Sequence, residues 1–234
     1  MDALNPAILA SLSSSLFLAL IYAYFYSEDR ELYMRTWMVS WVIYSLRLFF
    51  QLVAELTGSS ILLTLADQLA AWISGVVLFL GTLEFLRKRV SRWVWPAAIG
   101  ISAWIVLSIS LELPFEVQTV PSFFISGGIY IWLGILLLRS PAISSPGKSL
   151  AGWAFILWGV HKLNYPWLRQ VDWFAPWGFL LATLLAFTVA VGVILAYNQR
   201  IRAELRESEE RIRTLFEKAP LSYQSLDGNG ASWR

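Results

Sequence analysis

Seven long apolar runs, each closed off by a polar or proline-bearing break, constrain this chain more than any other feature. They cover residues 6–26, 36–54, 68–86, 93–111, 121–138, 150–163 with an extension towards Trp167, and 173–197. About 20 apolar residues in a helix cross the hydrocarbon core of a bilayer. Backbone at that depth must satisfy its own polar groups, which leaves helices as the spanning element for such runs. The composition agrees: 57% of the 234 residues are hydrophobic and 15% charged, against about 25% charged in soluble domains. A soluble globule is therefore excluded. The first run follows Asp2 rather than a basic segment and is long for a signal peptide, so it reads as a retained helix. The expected fold is an all-α integral membrane protein with seven transmembrane helices.

Lys and Arg in short loops set orientation. The first, third and fifth loops carry Arg30 and Arg35, then Arg87, Lys88, Arg89 and Arg92, then Arg139 and Lys148. The second and fourth carry none, and the tail after Tyr197 is rich in Arg. Odd loops and tail then face the cytoplasm, with the N-terminus outside and the C-terminus inside. The sixth loop departs from the rule, placing Lys162 and Arg169 outside beside the sole histidine, His161. Trp37, Trp93 and Trp95 at the inner boundary, and Trp72, Trp167, Trp173 and Trp177 at the outer one, read as interfacial anchors. The expected location is the bacterial inner membrane, multi-pass, with the lipid bilayer as first partner and no nucleic acid. Without cysteine there is no disulfide framework or thiol nucleophile.

From residue 198 to 218 the material changes: eleven of 21 residues are charged. Ile194, Ile201, Leu205, Ile212 and Leu215, with Asn198, Ser208 and Ala219 between and after them, follow alternating four- and three-residue steps. That is a heptad seam with polar interruptions. Arg206–Glu210 and Glu207–Arg211 are spaced for ion pairs along the helix. The last span is thus expected to continue into a coiled-coil-like linker over 198–219 that joins two copies of the chain as a homodimer.

The linker leads into SEERIRTLFEKAP, from Ser208 to Pro220. This run resembles the entry helix of a bacterial PAS domain. In that pattern Leu221–Leu226 is the first strand and Asp227-Gly228-Asn229-Gly230 its turn. The resemblance covers 207–230 only. It implies three segments: a membrane sensor domain over 1–197, the linker over 198–219, and a truncated PAS start over 220–234. A polytopic domain, a helical linker and a PAS start resemble, in that order, the input half of a sensor histidine kinase or a cyclic-di-GMP enzyme. The implied role is a sensor module relaying a signal to a cytoplasmic PAS domain and effector. The chain itself carries no effector motif, so it is not expected to be an enzyme.

Ionisable residues at membrane depth are costly and mark function by default. Arg47 lies about eleven residues from the inner end of its span, about 16 Å deep, and His161 at a similar depth. Gln51 and Glu55 follow Arg47 at successive turns, Tyr165 follows His161, and Asp67 and Gln68 open the third span. Arg47, Gln51, Asp67, His161 and Tyr165 are expected to line an outward-opening polar pocket, with Glu55, Lys162, Arg169 and Asp172 at its rim. His161, Arg47, Gln51, Asp67, Tyr165 and Arg169 are the candidate signal-binding residues. The occupant is left open among an anion, a quinone or lipid headgroup, a metal, haem on one axial His161, or a proton. The plainer alternatives are that Arg47 pairs with Asp67 to join two helices, and that His161 bonds a neighbouring helix. Glu84 is expected to pair with Lys88, and Gly127-Gly128 to allow close helix packing. Two other classes stay open: a transporter or channel, and an intramembrane serine hydrolase built on Ser126 and His161.

Overall fold

The computed structural model describes residues 3–140 and 146–218. Among them the chain is all-helical, with seven helices: α1 (Leu4–Asp29), α2 (Leu32–Thr57), α3 (Ile61–Phe85), α4 (Val94–Ser110), α5 (Phe115–Arg139), α6 (Pro146–Leu168) and α7 (Ala175–Lys218). Five of these, α1, α2, α3, α5 and α7, are long and apolar enough to cross a membrane, which marks the chain as a membrane protein. α4 has 17 residues, about 25 Å of helix, and α6 carries too many polar groups for its length. The expected strand and turn at 221–230 lie outside the described residues. The chain divides into two compact units, Met1–Ala196 and Tyr197–Arg234.

Short turns make the early helices antiparallel neighbours. Arg30 closes α1 in the left-handed region (φ 54°), its N–H donating to the Tyr26 carbonyl at 3.0 Å. Ser60 caps α3 by accepting from the Leu63 N–H at 3.2 Å. Gly58, at φ 94°, makes the α2–α3 turn in a conformation that other residues rarely adopt. α2 packs against α1 and α3, α5 against α6, and α4 against α3 and α5.

Two expected helix boundaries move. Pro166 does not end α6, which runs on to Leu168, and Pro121 lies inside α5, which begins at Phe115. A proline within a helix orphans the carbonyl four residues before it. For Pro121 that is Val117, and the Trp104 indole N–H of α4 donates to the Val117 oxygen at 3.3 Å. A neighbouring helix thus satisfies the freed group, and α5 continues. Replacing Trp104 with Phe should cost about 1 kcal/mol, measured as a lower thermal midpoint of the detergent-purified chain. Trp104→Phe with Pro121→Ala should recover that loss, because alanine supplies the missing N–H.

Two of the expected interfacial tryptophans are interior instead. Trp37 is buried among Tyr22, Tyr33 and Phe85, with ring centroids 5.4–5.5 Å away. Trp72 is buried against Ile105 and Ile109 of α4, and its N–H donates to the Ala98 carbonyl at 3.2 Å. Trp93, Trp95, Trp167, Trp173 and Trp177 are exposed, as anchors need to be. Glu84 accepts from the Thr36 hydroxyl at 2.9 Å and makes no ion pair with Lys88. The helix ends at Phe85, and Arg87 turns left-handed (φ 53°), so Lys88 is no longer one helical turn away.

α5 and α6 meet through glycine. A Cβ on Gly127 would lie 2.8 Å from the Gly159 carbonyl, and one on Gly159 would lie 2.6 Å from the Gly127 carbonyl. Gly134 and Gly152 repeat the arrangement two turns away. α6 and α7 do the same with Gly147 and Gly192, whose added Cβ atoms would each meet the other helix's backbone at 2.6 Å. Small residues let backbones approach where lipid offers no hydrophobic drive to associate. The close contact fixes which α6 side chains turn inward.

On α7 the expected pair Glu207–Arg211 forms at 2.9 Å, joined by Arg200–Glu204 at 3.0 Å. Arg206 and Glu210 form no ion pair with each other. Ile201, Leu205, Ile212 and Leu215 are exposed along the tail.

Candidate functional site

Each of the deep polar residues has a physical reason to be where it is. Arg47, 5% exposed, donates through Nε to Asp67 Oδ1 at 3.0 Å. Asp67 Oδ2 takes a second, longer bond of 3.4 Å from Gln68. A charge buried in lipid-facing structure needs its counter-charge within bonding distance, and the start of α3 supplies it to the middle of α2. This is the helix-joining pair that the sequence offered as the plainer role for Arg47.

The pair does not exhaust Arg47. Its guanidinium also lies over the rings of Tyr44 and Phe179, each 5.7 Å to the centroid. Phe179 belongs to α7 and carries a second cation, Arg169, at 5.5 Å. Arg169 in turn bonds Glu55 at 2.8 Å. One α7 aromatic ring thus sits between two arginines, each neutralised by a carboxylate from α2 or α3.

α6 supplies the opposite wall. His161, 8% exposed, faces the Gly178 carbonyl of α7 through Nε2 at 3.1 Å. A carbonyl only accepts, so Nε2 carries the proton, and the neutral ring leaves Nδ1 as an acceptor. Nδ1 is buried without a hydrogen-bond partner, as is Asn164 Oδ1, three residues on. Tyr165 stacks flat on Phe123 of α5, centroids 4.1 Å apart and planes 5° from parallel. Lys162 reaches inward, its ammonium 5.3, 5.0 and 5.7 Å from the rings of Phe123, Tyr130 and Trp158. Each distance is within cation–π range.

These groups enclose one cavity, with Arg47, His161, Lys162, Asn164, Tyr165 and Arg169 among its walls and Gly178, Phe179 and Ala182 as the α7 face. About 50 Å³ of it admits the centre of a water-sized sphere, room for three or four waters. A separate groove lies beside it, lined by Glu55, Asp172, Trp173 and the start of α1, and Arg169 belongs to both.

Of the residues expected in one pocket, Arg47, His161 and Tyr165 line this cavity, and Arg169, expected at the rim, lines it with them. Asp67 stands behind Arg47 as its ion partner, and Gln51 is buried off the cavity with Oε1 unpartnered. Lys162 is the main correction: it is an inner wall, not a rim residue. Asn164, Tyr44 and Phe179 were missed. Tyr44 and Phe179 are ordinary apolar-run aromatics in sequence, and nothing but helix rotation brings them here. Ser126 and His161 are not brought together. The serine hydroxyl donates to the Phe123 carbonyl of its own helix at 3.2 Å, and the histidine bonds Gly178.

The cavity does not suit haem. His161 Nε2 is already engaged, and a space for a few waters does not admit a macrocycle. Among the described residues no group of three His, Cys, Asp or Glu side chains is placed to hold a metal ion. What the arrangement can do is hold a small polar molecule between cations and aromatic faces, in direct contact with α7. No protein-family model, no curated protein and no solved structure matches this chain.

Proposed function

We propose that the chain is the membrane-embedded input module of a bacterial signalling protein, with seven spans, its N-terminus outside and its tail in the cytoplasm. A small ligand enters the cavity, and α7 passes the change to a PAS domain and effector. The observation that carries this reading is that α7 forms one wall of the cavity: Gly178, Phe179 and Ala182 belong to the helix whose tail holds the heptad seam. An occupant that moves Phe179 between its two arginines acts on that helix without an intermediary. Signalling needs two packed arrangements of such an element, not a graded deformation. The exposed apolar row Ile201, Leu205, Ile212 and Leu215 supports a second copy of the chain as the partner of the tail.

Crosslinking tests this. In membranes, Leu205→Cys and Ile212→Cys should each form disulfide-linked dimers at least about fivefold more efficiently than Arg206→Cys and Arg213→Cys on the other faces, since seam positions of a parallel dimer approach most closely. Equal yields at all four positions would remove the seam. In a chain joined to its effector, His161→Ala should abolish the response while membrane insertion stays normal. An unchanged response would reduce His161 to a packing residue.

A further inference from the structure

The cavity's charges do not balance. Arg47 has Asp67 and Arg169 has Glu55, each at hydrogen-bond distance. Lys162 meets no carboxylate among the described residues and makes no hydrogen bond there. Its ammonium is left against three aromatic faces. Ring quadrupoles attract a cation but do not neutralise it. A half-buried charge held against aromatic faces is favoured when an ion of opposite sign joins it. The same wall holds two acceptors without donors, His161 Nδ1 and Asn164 Oδ1, one helical turn apart. Unmet buried acceptors are rare enough in folded proteins to need a reason. Around the cavity, α6 thus lacks a single negative charge and at least one hydrogen-bond donor.

We infer that the cavity binds a small 2-hydroxy monocarboxylate. The carboxylate pairs with the Lys162 ammonium, and the hydroxyl donates to the unmet acceptors on α6. A second carboxylate has no free cation to meet, because both arginines are already paired. The space of three or four waters, about 100 Å³ of liquid, suits an acid of roughly five or six non-hydrogen atoms. Phe123 and Tyr165, stacked on each other, bound its apolar side. This ligand class rests on the reading of the cavity as a signal site.

The test is calorimetric titration of the full chain in nanodiscs with lactate, propionate and lactamide. Propionate lacks the hydroxyl of lactate, and lactamide replaces its carboxylate with a neutral amide. Lactate should bind with a Kd of about 0.1–1 mM, and propionate and lactamide at least about tenfold more weakly. Propionate binding as well as lactate overturns the hydroxyl assignment, and lactamide binding as well overturns the charge assignment. No binding of lactate by about 10 mM overturns both. Lys162→Met should unfold at a higher temperature than the parent chain without acid, because it removes the lone charge, and should gain nothing from lactate. Lys162→Gln serves if methionine does not fold, and lactate stabilising either variant as it does the parent counts against the site. Crosslinking at Leu205→Cys with and without lactate separates the two readings. Lactate that binds yet leaves crosslinking unchanged sinks the input-module reading and leaves the ligand class standing. A crosslinking pattern of a seam with no acid bound sinks the ligand class alone.

Discussion

Arg47→Ala will destabilise the bundle by roughly 3–5 kcal/mol, the cost of leaving a buried carboxylate without its partner. Asp67 is almost enclosed, with a side chain 13% exposed, and its remaining bond from Gln68, at 3.4 Å, is too long to hold a full charge. Phe179 also loses one of the two cations that flank it. The measurement is the thermal midpoint of unfolding in detergent. The informative comparison is the double variant Arg47→Met with Asp67→Leu, which removes both charges and keeps most of the volume. A buried pair replaced by apolar residues of similar size is often neutral or stabilising, so the double variant should unfold within about 1 kcal/mol of the parent. If it matches the single variant instead, the pair is not what holds α2 to α3. If the double variant folds but no longer responds to ligand, Arg47 serves the cavity as well as the helix contact.

How much of this was readable in advance depended on what each residue needs. The helices were legible because every apolar run in a bilayer has one solution for its backbone. Their ends were not, since a proline need not stop a helix, and for Pro121 the orphaned carbonyl finds its donor in an indole on another helix. Arg47–Asp67 was legible because both residues are costly at depth and few partners exist for either. His161–Gly178 was half legible: the histidine needed a partner, but a backbone carbonyl leaves no mark in sequence. Lys162 was misplaced for a related reason. One position after His161 it is rotated about 100° around α6, and the rim was the natural place for it. The rotation is absorbed by α6 packing tightly between α5 and α7, which lets His161 turn to α7 while Lys162 turns to the Phe123, Tyr130 and Trp158 rings. The glycines that set that packing were visible only as single residues, and their pairing is a property of the antiparallel register.

That register supplies the other large effect, and adjacent residues should give opposite results. Gly127→Ala places a methyl group 2.8 Å from the Gly159 carbonyl oxygen and equally close to Leu163. The leucine can move, but the carbonyl is helix backbone and cannot retreat without parting α5 from α6. Gly159→Ala meets the Gly127 carbonyl at 2.6 Å, the Ile131 Cγ1 at 2.7 Å and the Ile131 backbone nitrogen at 2.9 Å, so two of its three nearest contacts are helix backbone. Each should destabilise by about 1–3 kcal/mol, the range for overpacked cores, and Gly159→Ala should be the worse of the two. Gly128→Ala meets nothing within 4 Å. It gains the helix preference of alanine and should stabilise by about 0.5–1 kcal/mol. Thermal unfolding of the three variants under one set of detergent conditions decides it. If Gly127→Ala and Gly128→Ala move the midpoint in the same direction by similar amounts, the α5–α6 contact is not glycine-mediated. The inward turn of Lys162 would then lose its structural cause. If the signs differ as argued, the small residues do more than permit packing. They set the rotation of α6, and through it they decide that a cation, and not a leucine, faces the cavity.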